Sequence, residues 1–218
     1  MMKLYGALAS PYVARVVLVA RHKKLDLPVE MPAEGLKSAA YLAMNPFGKM
    51  PTLGHGGRHV IESEVICEYL EDLYPSPSVL PGDALARARA RTVSRVVDLY
   101  VGPESSLLFR QMNPATRDTA AVDAGKAKLA DAVRNLDLLM AGGPWAAGEF
   151  SLADCTLLPR VLLMQKTVVP VLGVPDPAQA GPNLRAWWER VNADPLTAAF
   201  LPEYNAAVDA FLARLRGG

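Results

Sequence analysis

Apolar positions along the chain follow two regimes. Up to about residue 75, short strand-like runs take turns with helical stripes; beyond about residue 84 only helical spacing remains. Leu4 to Leu8 reads as a strand. Pro11 to Lys24 puts Val13, Val16, Val17 and Ala20 on one side and Arg15, Arg21 and Lys24 elsewhere, which predicts an amphipathic helix. Leu27-Pro28-Val29-Glu30-Met31 alternates and is bounded by Pro and Gly, so it reads as a short strand parallel to the first, a β-α-β unit. Leu36 to Met44 is a short helix stopped by Asn45-Pro46, because a residue before proline avoids helical angles. Met50-Pro51-Thr52-Leu53 and His59-Val60-Ile61 flank Gly54-His55-Gly56-Gly57 and predict a hairpin. In Ser63 to Tyr74, the residues Val65, Ile66, Tyr69, Leu70 and Leu73 form one stripe, ended by Pro75-Ser76-Pro77-Ser78.

The second regime is all helical. Ala84 to Gln111 is one long helix with Arg87, Arg89, Arg91 and Arg95 early on it, and Asn113-Pro114 breaks it. Ala115 to Ala141 carries Leu129, Val133, Leu136 and Met140, and Gly142-Gly143-Pro144 ends it. Ser151-Leu152-Ala153-Asp154 is an acidic capping box, with Phe150 placed to staple it, ahead of a mostly apolar helix to Lys166 that Pro159 should kink. A Pro- and Gly-rich loop, Pro170 to Pro182, leads to a helix over Asn183 to Asn192 bearing Leu184, Trp187, Trp188 and Val191, and a last helix spans Pro195 to Leu215. The expected organisation is therefore a β-α-β-α-β-β-α domain over 1–75, a linker over 76–84 and a helical domain over 85–218.

With 23 Lys and Arg against 22 Asp and Glu, the net charge is +1, which gives no overall pull towards nucleic acid or an anionic membrane. The arginines after Ala84 then read as a solvated helix face. Although 51% of residues are hydrophobic, no uninterrupted run reaches the eighteen or so that a membrane span needs. Met1-Met2-Lys3-Leu4-Tyr5 runs directly into the first strand without the succession of a secretory signal, so a cytoplasmic location is expected. Cys67 and Cys155 lie far apart inside helical patterns and read as small core residues, with no metal site expected.

Candidate chemistry sits at the joint between the first strand and first helix, Ala9-Ser10-Pro11-Tyr12. Ser10 followed by Pro11 is an N-cap with proline at the first helical position. The same arrangement converges a hydroxyl and free backbone N–H groups on one point, which suits a thiolate or carboxylate. From the local sequence both readings stand.

Three strings in this order decide further: Asn45-Pro46-Phe47-Gly48-Lys49-Met50-Pro51-Thr52-Leu53, then Ile61-Glu62-Ser63-Glu64-Val65-Ile66, then Phe150-Ser151-Leu152-Ala153-Asp154. Together they resemble the soluble glutathione transferases, over essentially the whole chain. By subclass the chain is similar to the serine-type group that includes the phi, tau and zeta classes and bacterial relatives. The resemblance implies a thioredoxin-like N-terminal α/β domain that binds glutathione and an all-α C-terminal domain carrying much of the electrophile site. It implies that Pro51 is a cis-proline presenting the backbone of Met50 to the cysteinyl part of glutathione. Glu62 and Ser63 would hold the γ-glutamyl end, and Lys49 and Lys37 would lie near the glycine carboxylate. Ser10 would donate to the glutathione sulfur and favour its thiolate, which attacks an electrophilic carbon.

The family analogy also implies a homodimer, with Phe47 as an inserted anchor and the helices at Ser63 and Ala84 at the interface. A hydrophobic electrophile would lie between the domains, with Leu8, Tyr12, Leu107, Phe109, Met112 and Met164 as its walls. A detoxifying conjugation is the expected activity, with glutathione as co-substrate, no metal, and peroxidase as a side activity. Two rivals are a non-catalytic binding protein on the same fold and a maleylacetoacetate-type isomerase. Ala9-Ser10-Pro11 departs from the Ser-Ser-Cys of zeta-type isomerases, and Ser10 in place of cysteine disfavours thiol transfer. Tyr5, inside the first strand, reads as a packing residue.

Overall fold

The computed structural model describes residues 2–140 and 143–217. They form two compact units, one running to Val79 and taken up again from Pro202, the other Leu80–Leu201.

In the first unit β1 (Met2–Tyr5), α1 (Pro11–His22), β2 (Val29–Glu30), α2 (Ala39–Met44), β3 (Thr52–His55), β4 (Arg58–Ile61) and α3 (Ser63–Leu73) follow the expected order, with β1, β2 and the three helices shorter than their patterns suggested. The sheet order is β2-β1-β3-β4, with β2 parallel to β1 and the rest antiparallel. This is a thioredoxin-like arrangement. The first strand stops at Tyr5, well short of Leu8, because its partner β2 pairs only through Val29 and Glu30 and Gly6 turns out of the sheet. The hairpin turn is Gly56-Gly57, both at positive φ (56° and 77°), where glycine carries no Cβ penalty.

Leu4 and Leu53, paired across β1 and β3, are fully buried with Val13, Val16, Ile66 and Leu70 of the packed helices α1 and α3. Arg15 departs from the expected polar face: it is 1% exposed, its guanidinium carbon 5.4 Å from the centroid of the Tyr12 ring. Residues 13–20 of α1 are all buried, so no polar face exists at that point, and the cation lies against an aromatic ring.

The ends of α1 and α3 are tied to the segment after them by buried charge. Lys23 Nζ donates to Glu71 Oε2 at 2.6 Å and to the carbonyls of Tyr74 and Pro77 at 2.6 and 2.9 Å. Glu71 also accepts from the Ser78 hydroxyl and from the Val79 N–H. Every donor of this ammonium is satisfied, as a buried charge requires.

In the second unit the single long helix expected from Ala84 is divided into α4 (Ala84–Val96), a π-helical turn at Val97–Val101, and α5 (Gly102–Arg110). The Gly102 N–H reaches Val97 O, five residues back, and Pro103 lacks the N–H that an unbroken α-helix would use. There follow α6 (Thr119–Leu139), α7 (Leu152–Lys166), α8 (Val168–Leu172), a 3-10 turn at Pro177–Gln179, α9 (Pro182–Ala193) and α10 (Pro195–Gly217), which from Pro202 belongs to the first unit. The helix expected from Ala115 starts only at Thr119, capped by Asp118 accepting from the Ala121 N–H; its expected stop at Gly142 lies outside the described residues. Among the described residues the second unit contains no strand. α7 continues through Pro159 as one helix, and Cys67 and Cys155 are buried, as expected of small core residues.

Two buried aspartates organise the second unit. Asp154 accepts from the Ser151 N–H at 2.8 Å, from the Ala146 N–H at 2.9 Å and from Trp187 Nε1 at 2.9 Å, so it joins the start of α7 to α9. Both halves of the expected capping box are present, and the Ser151 hydroxyl also lies 3.2 Å from the same carboxylate. Phe150 packs edge-on against Trp145. Asp137 accepts from the Leu184 N–H at 2.7 Å at the start of α9, and a Cβ on Gly181 would fall 2.2 Å from its carboxylate, so only glycine fits there.

Candidate functional site

The strand register gathers three separate stretches at one end of the sheet. Tyr5 pairs with Thr52, and Thr52 pairs with Ile61, so Gly6, Pro51 and Glu62 are the next residues out from adjacent strands. Pro51 is buried and its bond to Met50 is cis, as expected. The Ala7 N–H lies 3.3 Å from Met50 Sδ, which brings the loop leading to Ser10 against the loop carrying Pro51.

Ser10 occupies the N-cap position of α1, with extended backbone (φ −74°, ψ 125°) and Pro11 at the first helical position. Its carbonyl accepts from the Ala14 N–H at 2.9 Å and its own N–H donates to Ala7 O at 3.0 Å. The side chain makes no capping hydrogen bond, unlike Ser38, Asp83 and Asp118 at the starts of α2, α4 and α6. The cap at α1 is therefore positional only, and the half-buried hydroxyl is left over for other use.

Glu62 is the N-cap residue of α3, its carbonyl accepting from the Ile66 N–H at 2.9 Å, and Ser63 opens the helix. The Glu62 side chain is exposed and Ser63 is 6% exposed. Glu62 stands at φ 66°, ψ 115°, where a residue with a Cβ is strained by about 1–3 kcal/mol. That backbone turns the chain sharply from β4 into α3.

Lys49 and Lys37 both border the loop between α2 and β3. Lys37 Nζ donates to Phe47 O at 3.3 Å, and the Lys49 side chain is exposed. The Lys49 carbonyl is the anchor of this loop: it accepts from Tyr41 Oη at 2.7 Å and from Asn45 Nδ2 at 2.9 Å. Tyr41 and Asn45 also reach Thr52 Oγ1 at 2.9 and 3.0 Å, and Asn45 Oδ1 accepts from the Phe47 N–H. Burial pushes the Tyr41 phenol above its ordinary range, so it stays a donor. Sequence reasoning missed both residues as supports of the site. The asparagine ahead of Pro46 is a turn signal of the kind that marks such a residue, whereas buried Tyr41 gives none.

The expected electrophile walls are spread over both units. In the first, Leu8 lines a cavity of about 590 Å³ with Val17, Leu27 and Met31, and Tyr12 is half-buried beneath Arg15. In the second, Leu107 lines a groove against Ala121 and Gly125 of α6, and Met164, 2% exposed, lines a different cavity with Leu129, Val133 and Val174. Phe109 and Met112 are half-buried at the end of α5 and just beyond it. No group of side chains suited to a metal occurs among the described residues.

A thioredoxin-like unit presenting a serine hydroxyl, a cis-proline loop and a Glu-Ser helix start at one sheet end, joined to an all-helical unit, defines a class of two-part α/β and all-α proteins. Comparison with known proteins makes the class specific. Residues 4–78 match the model of the glutathione S-transferase N-terminal domain and residues 99–195 that of the C-terminal domain. The chain is 31% identical to glutathione S-transferase 3 of Zea mays, over 92% of this chain and 95% of that one. It is 34% identical to a probable glutathione S-transferase of Oryza sativa, over 93% and 89% of the two chains. The tau class glutathione S-transferase structure from mango, Mangifera indica, superposes with a TM-score of 0.80 at 26% identity, covering 98% of this chain and 97% of that one. The chain belongs to the glutathione S-transferase family and is a transferase of that kind.

Proposed function

We propose that the protein binds glutathione in its first unit, holds the thiol as thiolate through Ser10, and transfers a small hydrophobic electrophile to that sulfur. The observation that carries this reading is the Ser10 hydroxyl, unused by its own helix and standing at the positive end of the twelve-residue α1. A free thiol has a pKa of about 8.5 and is mostly protonated at neutral pH. A hydroxyl donating to sulfur, together with the helix terminus, stabilises the anion and lowers that pKa. No covalent bond to the protein is needed; activation and positioning supply the rate.

The remaining roles are carried over from the family resemblance, with placement in support. Met50, next to cis Pro51, offers its backbone to the cysteinyl part as an added strand would. Glu62 accepts from the γ-glutamyl ammonium, and Ser63, at the start of α3, donates to its carboxylate. Lys49 and Lys37 border the place for the glycine carboxylate. Leu8, Tyr12, Leu107, Phe109, Met112 and Met164 stand as the proposed electrophile walls, and the second unit from residue 85 as their main source. Peroxidase action would be a side reaction of the same thiolate, and cytoplasmic detoxification the setting. A homodimer is supported by apolar side chains left in water: Phe47 is 62% exposed, Val65 on α3 53%, and Leu85 on α4 76%.

Glutathione binding by calorimetry, run beside turnover with an activated aryl halide, tests the reading. Turnover is expected; tight binding without any turnover would make this a non-catalytic member of the family.

A further inference from the structure

Ala9 and Ser10 share one peptide unit, and that unit is held at both ends. Its N–H, on Ser10, donates to Ala7 O at 3.0 Å. Its carbonyl, on Ala9, accepts from Tyr204 Oη at 3.3 Å, from the opposite end of the chain. The following peptide unit is fixed by the Ala14 N–H on Ser10 O. The bonds to Ala7 and Ala14 are local and belong to a helix start of this shape. The bond from Tyr204 is the long-range one.

Tyr204 is fully buried and lies on the stretch of α10 after Pro202, which packs as part of the first unit. Its neighbour Glu203 accepts a fork from the Arg21 guanidinium of α1, at 2.8 and 2.7 Å to its two oxygens. On the other side of the loop, Gly6, Ala7 and Leu8 line the cavity of about 590 Å³, and the Ala7 N–H lies 3.3 Å from Met50 Sδ. Since the Ser10 side chain makes no capping bond, the backbone that carries it sets where its Cβ stands and which rotamers are open to its hydroxyl.

We propose that Tyr204 is a positioning residue for Ser10, through which the C-terminal helix sets the aim of the hydroxyl at the glutathione sulfur. The proposal rests on the assignment of Ser10 as thiolate stabiliser. A distance of 3.3 Å is long for a hydroxyl-to-carbonyl bond, so Tyr204 restrains the peptide without locking it. The expected loss is severalfold, far below the ~100-fold that a 1 Å misplacement of reacting groups brings.

The test is Tyr204→Phe, which keeps the ring and removes the donor, assayed for glutathione conjugation to an activated aryl halide across pH. A kcat lower by about fivefold is expected, with KM for glutathione within about twofold and the acidic limb of the pH profile moved to higher pH. Glu203→Gln, which removes an exposed ion pair and leaves the Ala9 bond, should keep both kcat and the limb. The proposal is overturned if Tyr204→Phe leaves kcat and limb unchanged, or if Glu203→Gln reproduces the same changes, since general docking of the helix would then explain them. Ser10→Ala separates the two layers. Full activity in that variant overturns the Ser10 assignment and this proposal together; loss there beside an unchanged Tyr204→Phe overturns the positioning role alone.

Discussion

The carboxylate of Asp154 accepts the indole N–H of Trp187 at 2.9 Å, both groups buried, so that one side chain at the start of α7 fixes the middle of α9. Burial raises the Asp154 pKa to about 6 from an ordinary 3.8, with the donors from Ala146, Ser151 and Trp187 opposing the shift. Because the native pKa is the higher one, the native state holds more protons than the unfolded state between these values. The stability from this group is fully present below about pH 4 and is lost as pH rises through about 6. A carbon-13 titration of the Asp154 carboxyl should show a midpoint near 6. Asp154→Asn places an NH2 where a carboxylate oxygen accepted bonds, and should lower unfolding free energy at pH 7 by about 2–3 kcal/mol in denaturant titration.

Glu71 shifts the opposite way. Burial alone would raise its pKa, but Lys23, the Ser78 hydroxyl and the Val79 N–H together outweigh it and leave the group below its ordinary value. The stability it contributes is present above about pH 4.5 and is lost as pH falls through the native pKa. Lys23→Met removes the partner of a buried carboxylate and should cost about 3–5 kcal/mol at pH 7, with a smaller deficit at a pH acidic enough to keep Glu71 neutral in both proteins. Thermal unfolding of both proteins at the two pH values checks this.

Glu62 is the place where stability and function are expected to oppose each other. At φ 66° a glycine carries no Cβ penalty, so Glu62→Gly should raise unfolding free energy by about 0.5–1 kcal/mol. The same change removes the acceptor for the γ-glutamyl ammonium and should raise KM for glutathione by tenfold or more, the value of a lost charge-assisted hydrogen bond. Glutathione titration and denaturant melts on one preparation test both signs.

The exposed Phe47 side chain is the proposed anchor of a dimer. Sedimentation should give a dimer, and Phe47→Ala should weaken it by about 3 kcal/mol, a shift of roughly a hundredfold in dissociation constant. A wild-type monomer at micromolar concentration contradicts the dimer.

What the sequence disclosed was mainly what is local. The stripe of Val65, Ile66, Tyr69, Leu70 and Leu73 marked α3, the Gly-rich turn marked the hairpin, and Ser10-Pro11 marked the start of α1, because each is a pattern within one element. The first two strands were overdrawn, since the end of β1 is set by its partner β2 and leaves no trace in Leu4 to Leu8 itself. Arg15 was misplaced because a charge is polar by type and buried by tertiary context. The π turn at Val97–Val101 was written in Gly102-Pro103 but masked by an otherwise continuous helical stripe. Supports of the site were the least legible: Tyr41 lies within an ordinary helix, and Tyr204 reaches Ala9 across 195 positions. No periodicity encodes such a pairing.

The thiolate role of Ser10 is tested most directly by the ionisation of glutathione bound to the wild type and to Ser10→Ala, read from ultraviolet thiolate absorbance across pH. The hydroxyl is not a capping group here, so the variant should keep its fold, with a stability change below about 1 kcal/mol. The bound thiol should ionise well below the free value of about 8.5 in the wild type and return towards it in Ser10→Ala, with conjugation falling at least tenfold. An unchanged thiol pKa and an unchanged rate in Ser10→Ala would contradict the assignment.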